Sequence, residues 1–196
     1  MTGLLLGLLL CVSRAADLPH TNLRFEVSVA RNLPTEPRDG RLLIVIGKKS
    51  SPEPRRSIGR TGLNAPPLLG ADANSFGPGS VARVDEKAVI FPIPSLASLP
   101  AGEYFIQAVF HANRDLNVAN APGNLYSDPV KVKLDPSHGE MVRLELAHVI
   151  PWNDIPADQD NVRYIKLRSE LLSAFHGRPM FLRAAVILPR EFDKET

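Results

Sequence analysis

The chain has 196 residues, 44% of them hydrophobic and 22% charged. It has room for one full domain and part of a second, and its composition excludes disorder, a repeat array and a long coiled coil. The formal charge is only +2, from 23 basic and 21 acidic residues spread along the chain, so a polyanion binder is excluded and no nucleic-acid partner is expected.

The chain begins with an apolar run, Leu4 to Val12, followed by Ser13, Arg14, Ala15 and Ala16, whose small residues suit a signal-peptidase pocket. Residues 1–16 therefore read as a signal peptide, although Met1, Thr2 and Gly3 bring no basic side chain, and the destination is secreted or periplasmic. The run is about half of the roughly 20 residues a transmembrane helix needs, so no transmembrane anchor is expected. Leu8, Leu9 and Leu10 before Cys11 lack the small residue of a lipobox. Cleavage after Ala16 leaves 180 of the 196 residues and removes Cys11, the single cysteine, so the mature chain has no disulfide and no thiol nucleophile.

Strands follow. Leu23, Phe25, Val27 and Val29 alternate with Arg24, Glu26 and Ser28, the period of a half-buried strand over Leu23 to Ala30. Arg41 to Gly47 is a continuous apolar run after the turn former Asp39-Gly40, which reads as a strand buried on both faces. Lys48, Lys49, Arg55 and Arg56 form the densest basic cluster; the intervening Ser50, Ser51, Pro52, Glu53 and Pro54 mark it as a solvated basic turn. Asn64 to Gly79 reads as one long irregular loop. Lys87 to Pro92 is a short strand. Leu96 and Leu99 make a helical turn, and Pro100-Ala101-Gly102 launches the longest strand, Glu103 to Ala112. Pro129 to Leu134 and Met141 to His148 alternate cleanly and read as a hairpin around Asp135, Pro136, Ser137, His138 and Gly139.

Six or so strands with Pro- and Gly-rich loops and no amphipathic helix predict an all-β domain over 21–150, an immunoglobulin- or fibronectin-like antiparallel β-sandwich. Residues 151–161, polar and bounded by Pro151 and Pro156, read as a linker. Beyond it come a strand over Val162 to Arg168, a helical turn with Leu171, Leu172 and Phe175, a corner at Gly177, Arg178 and Pro179, and a strand over Met180 to Leu188. Two strands and a turn cannot bury their own apolar faces, so 162–196 must pack back on the sandwich or open a further domain.

No residue set carries chemistry. His20, His111, His138, His148 and His176 show no metal-ligand spacing, and no zinc site is expected. Asn64, Asp72 and Asn74 offer oxygens to calcium but lack the alternating acidic ligands of an EF-hand loop. Tyr126, Trp152 and Tyr164 are the aromatic residues that could stack on a sugar; covering the core is the ordinary role of such side chains. No catalytic residue, cofactor site or metal site is assigned.

Several strings together resemble secreted esterases related to the enterochelin esterase group of α/β-hydrolases. They are Ser169 to Met180, Ala184 to Pro189 with Phe192-Asp193, Leu99 to Tyr104 with Gln107-Ala108-Val109, Pro122 to Val130, and Leu134-Asp135-Pro136 through Val149-Ile150-Pro151. In that group a leader β-sandwich precedes the catalytic domain, which implies that 162–196 begins an α/β-hydrolase domain, incomplete here. Two departures stand out: His176 occupies a position where members often carry tryptophan, and Asn113 to Ala121 is shorter than their insertion. The group's nucleophile sits in a G-x-S-x-G elbow, and no such pentapeptide occurs in this chain. The resemblance thus implies a noncatalytic fragment that positions or shelters a downstream or separate serine-hydrolase domain. The alternative is a free-standing secreted module with a glycan or protein ligand.

Overall fold

The computed structural model describes residues 20–151, 155–189 and 192. The proposed signal peptide, Cys11 and Trp152 lie outside them. The chain divides between Ile150 and Pro151 into two compact units.

The first unit is built on nine strands: β1 (Arg24–Val29), β2 (Arg38–Gly47), β3 (Leu68–Phe76), β4 (Val81–Val84), β5 (Val89–Phe91), β6 (Gly102–His111), β7 (Leu125–Ser127), β8 (Val130–Leu134) and β9 (Met141–Val149). They form one mixed sheet in the order β4-β1-β9-β7-β6-β2-β3-β5, with β8 also on β6. The alternation read from β1 holds: Phe25, Val27 and Val29 are buried, as is Leu23 just before the strand. They join Leu42, Ile44 and Ile46 of β2, Ile106 and Phe110 of β6, and Val142, Leu144 and Leu146 of β9 in one core. Each such side chain contributes about 1.5–3 kcal/mol on burial. Phe76 packs edge-on against Phe110, ring centroids 5.2 Å apart.

Four expectations are corrected. The strands are not all antiparallel, because β1 and β9 run parallel, with Phe25 opposite Val142, Val27 opposite Leu144 and Val29 opposite Leu146. A hairpin forces antiparallel pairing, but strands so far apart in sequence are free of that constraint, and this register sets three buried pairs side by side. Secondly, β8 and β9 do not form a hairpin: β8 pairs with β6, while β9 pairs with β1 and β7. Thirdly, the stretch read as an irregular loop contains β3, nine residues long and antiparallel to β2. Lastly, Asp39-Gly40 lies within β2 at a bulge rather than in a turn before it. A Cβ on Gly40 would sit 2.6 Å from the His111 carbonyl, so only glycine allows that approach.

Leu96 and Leu99 are buried in and beside a single 3-10 turn, Leu96–Ser98. From there the chain enters β6, and the buried Tyr104 reaches back to donate its hydroxyl hydrogen to the Pro100 carbonyl at 2.5 Å.

The second unit holds β10 (Val162–Arg168), α1 (Glu170–His176) and β11 (Phe181–Ile187), with β10 and β11 antiparallel. Ser169 caps α1 by accepting from the Leu172 N–H, and Gly177 ends it in the left-handed region at φ 64°. Residues 158–161, part of the proposed linker, are built into this unit: Asp158 accepts from the Tyr164 N–H and the Asn161 carbonyl accepts from the Leu188 N–H. The buried residue of α1 is Ser173, whose Oγ accepts from the Met180 N–H at 2.9 Å. Its apolar side chains point outward instead: Leu171 is 86% and Phe175 84% exposed.

Candidate functional site

The most organised polar constellation centres on Gln107, which β6 buries completely. Its Nε2 donates to Glu53 Oε2 at 3.0 Å and to the Ser127 carbonyl at 2.8 Å, while its Oε1 accepts from the Arg55 N–H at 2.9 Å. These bonds tie the 3-10 turn Pro54–Ser57 to the sheet. Gly47 suits that close docking, since a Cβ there would lie 3.1 Å from the Pro54 ring and would press it back by a few tenths of an ångström. Ser127 completes the hub where β7 gives way to β8. Its Oγ accepts from the Ala108 N–H, standing in for a ladder bond lost at the strand break.

Arg55 departs from the solvated basic turn read in the sequence. It is buried, with Nε donating to Glu53 Oε2 at 2.6 Å and Nη1 to Asn120 Oδ1 at 2.7 Å. Its guanidinium lies 4.0 Å from the centroid of the Tyr126 ring, which in turn stacks on His148 at 4.9 Å. His148 Nε2 meets Asp128 Oδ1 at 3.0 Å. The result is a column running from Glu53 through Arg55, Tyr126 and His148 to Asp128. Glu53 is held below the usual glutamate pKa, first by the Gln107 hydrogen bond, against the opposing effect of burial, and then by Arg55.

In front of this hub lies a cleft of about 350 Å³ whose lining includes Lys48, Lys49, Glu53 and Arg60. Lys48 Nζ rests 3.5 Å above the Tyr104 ring centroid.

The other candidates stay apart. His20 pairs with Glu86, His111 with the Leu116 carbonyl and His138 with Asp135, while His176 meets the edge of Phe175. Among the described residues no three His, Cys, Asp or Glu side chains gather as a metal site. Of the three residues considered for calcium, Asp72 pairs with Arg41 at 2.8 Å on β3, Asn74 is exposed two residues further along that strand, and Asn64 sits in the turn before it. Tyr126 is spent on Arg55 and His148, and Tyr164 is half-buried in the other unit. The sequence reading missed Gln107 and Ser127 as a pair. A polar residue within a strand that otherwise reads apolar on both faces, as Gln107 stands between Phe105 and Val109 on the face opposite the core-facing Ile106 and Ala108, is the signal that could have found them.

No family model, curated protein or solved structure matches the chain. The chemistry therefore has to be argued from these side chains alone. They offer a buried hydrogen-bonded hub and a basic cleft, and in the exposed turn after β8 the Ser137 hydroxyl lies 3.1 Å from His138 Nδ1, with Asp135 bonded to both.

Proposed function

We propose that the first unit is an immunoglobulin- or fibronectin-like β-sandwich acting as a noncatalytic, extracytoplasmic leader domain, which positions or shelters a serine-hydrolase domain to which the second unit belongs. The observation that carries this reading is the exposed apolar surface of the second unit. Leu167, Leu171, Phe175, Leu182 and Ile187 are exposed, and the buried residue of α1 is a serine. A two-stranded sheet and a seven-residue helix do not hold together alone, and apolar side chains arranged this way call for further layers of structure against them. The Tyr104 hydroxyl bonded to the carbonyl four residues upstream has the geometry of a tyrosine corner, which supports the sandwich assignment for the first unit. Ester hydrolysis, in this reading, belongs to the partner domain, and residues 1–16 direct export.

Limited proteolysis of the purified chain tests it. Rapid loss of the segment after Pro151, leaving a resistant core that ends near that residue, is the expected result. Protection of the whole chain would overturn it in favour of a free-standing secreted module that binds a glycan or protein. Turnover of a p-nitrophenyl ester that disappears on replacing a serine or histidine of this chain would overturn both.

A further inference from the structure

We propose that the cleft in front of Gln107 binds a small oxyanionic ligand, about one ring in size, through its carboxylate or phosphate. The proposal stands apart from the leader-domain reading and concerns the first unit alone. Lys48, Lys49 and Arg60 line this concave surface, the Lys48 ammonium lying at its edge over Tyr104, and among the described residues none of the three is in an ion pair. Elsewhere on the same unit Arg41, Arg83, Lys131 and Arg143 are each matched by an acid, while Arg24, Arg31, Lys87 and Lys133 are in no ion pair among the described residues, so what sets the cleft apart is that its cations share one concavity.

Glu53, the acid in the lining, is already committed. Its Oε2 takes hydrogens from both Arg55 and Gln107, so its charge is answered from behind the wall and leaves Lys49 and Arg60 uncompensated. The cleft is also held in shape before any ligand arrives. Lys48 is steadied over Tyr104, and Pro54 is locked between Gly47 and the bonds to Gln107. Such preorganisation lowers the entropic cost of binding. Pro52, Pro54 and Pro66 give apolar walls, but no aromatic side chain lines the cleft. A neutral sugar would therefore find no stacking platform, and the recognition must come from charge. Its volume matches the lower end of small-molecule sites.

The test is an NMR titration of the isotope-labelled full chain at low salt with glucuronate, glucose 6-phosphate and glucose. Saturable shifts of backbone amides within 47–66 are expected with one or both anions and not with glucose; whichever anion saturates at the lower concentration identifies carboxylate or phosphate as the natural group. The double variant Lys49→Gln/Arg60→Gln should weaken binding by about tenfold or more, as the loss of charged hydrogen bonds implies. Both side chains are exposed and unpaired, so its melting temperature should match that of the wild type, and Lys131→Gln should bind as the wild type does. The proposal is overturned if neither anion shifts those amides, if glucose shifts them equally, if the shifts spread evenly over the basic surface, or if the double variant binds unchanged.

Discussion

Replacing Gln107 with leucine asks how far the polar hub stabilises the first unit. The side chain is fully buried on β6 and makes three hydrogen bonds, one of them to the ionised Glu53. Leucine has nearly the same volume, so cavity and overpacking effects are small. A bond to a charged group is worth about 1.5–3 kcal/mol and each of the two neutral ones about 1 kcal/mol, which gives a loss on the order of 3–5 kcal/mol. The upper end applies if the Arg55 N–H and the Ser127 carbonyl find no other partner, and the added apolar burial of leucine pulls toward the lower end. Urea unfolding followed by far-UV circular dichroism measures this directly. With a slope of about 2 kcal/mol/M, the midpoint should fall by about 2 M. A loss under about 1 kcal/mol would refute the account of the hub as a fully satisfied buried network. Acid supplies a second check. Because Glu53 sits below its ordinary pKa of 4.5 in the folded chain, its contribution is full above that value and fades as the pH falls through the lowered one. The wild type should thus lose more stability on acidification than Gln107→Leu, narrowing the gap between them as the pH falls below the ordinary glutamate value of 4.5.

Asn124→Ala should cost about 2–4 kcal/mol, since the buried Asn124 Oδ1 accepts from the Ala112 and Asn113 N–H groups and its Nδ2 donates to the Val118 and Ala119 carbonyls; hydrogen exchange at residues 112 and 113 should speed up in step. Tyr104→Phe removes only the bond to Pro100 and should lower stability by about 1 kcal/mol in thermal melts, with the ring and its contact to Lys48 retained. A chain ended after Ile150 should unfold in a single cooperative transition in calorimetry, because the core draws on strands up to β9 and Ile150 is itself anchored by bonds between its backbone and Gly123 and Asn124.

Strands were legible where the side-chain pattern was strong. The alternation in β1 and β9 and the apolar runs in β2 and β6 each reflect burial that the strand imposes on its own residues. What stayed hidden was the choice of partner. Val130, Val132 and Leu134 would match Val142, Leu144 and Leu146 as well as they match β6, and only the assembled sheet decides between them. Strand β3 was invisible because Gly70, Ala71, Asp72, Ala73, Asn74 and Ser75 have little intrinsic preference for extended structure; pairing with the apolar β2 imposes it. The hub was obscured for the same reason. Arg55 reads as a surface cation until Asn120 and Tyr126, from a stretch more than sixty residues away, are brought around it beside the neighbouring Glu53.

The parallel pairing of β1 with β9 joins the first strand of the unit to its last along six register pairs. A pull applied between the two ends of this unit acts along those strands in opposite directions, so the bonds joining them are sheared together rather than peeled open one after another. The unit is therefore built to resist tension at its ends, and under load its rupture should be abrupt, with this pair as the clamp that gives way first.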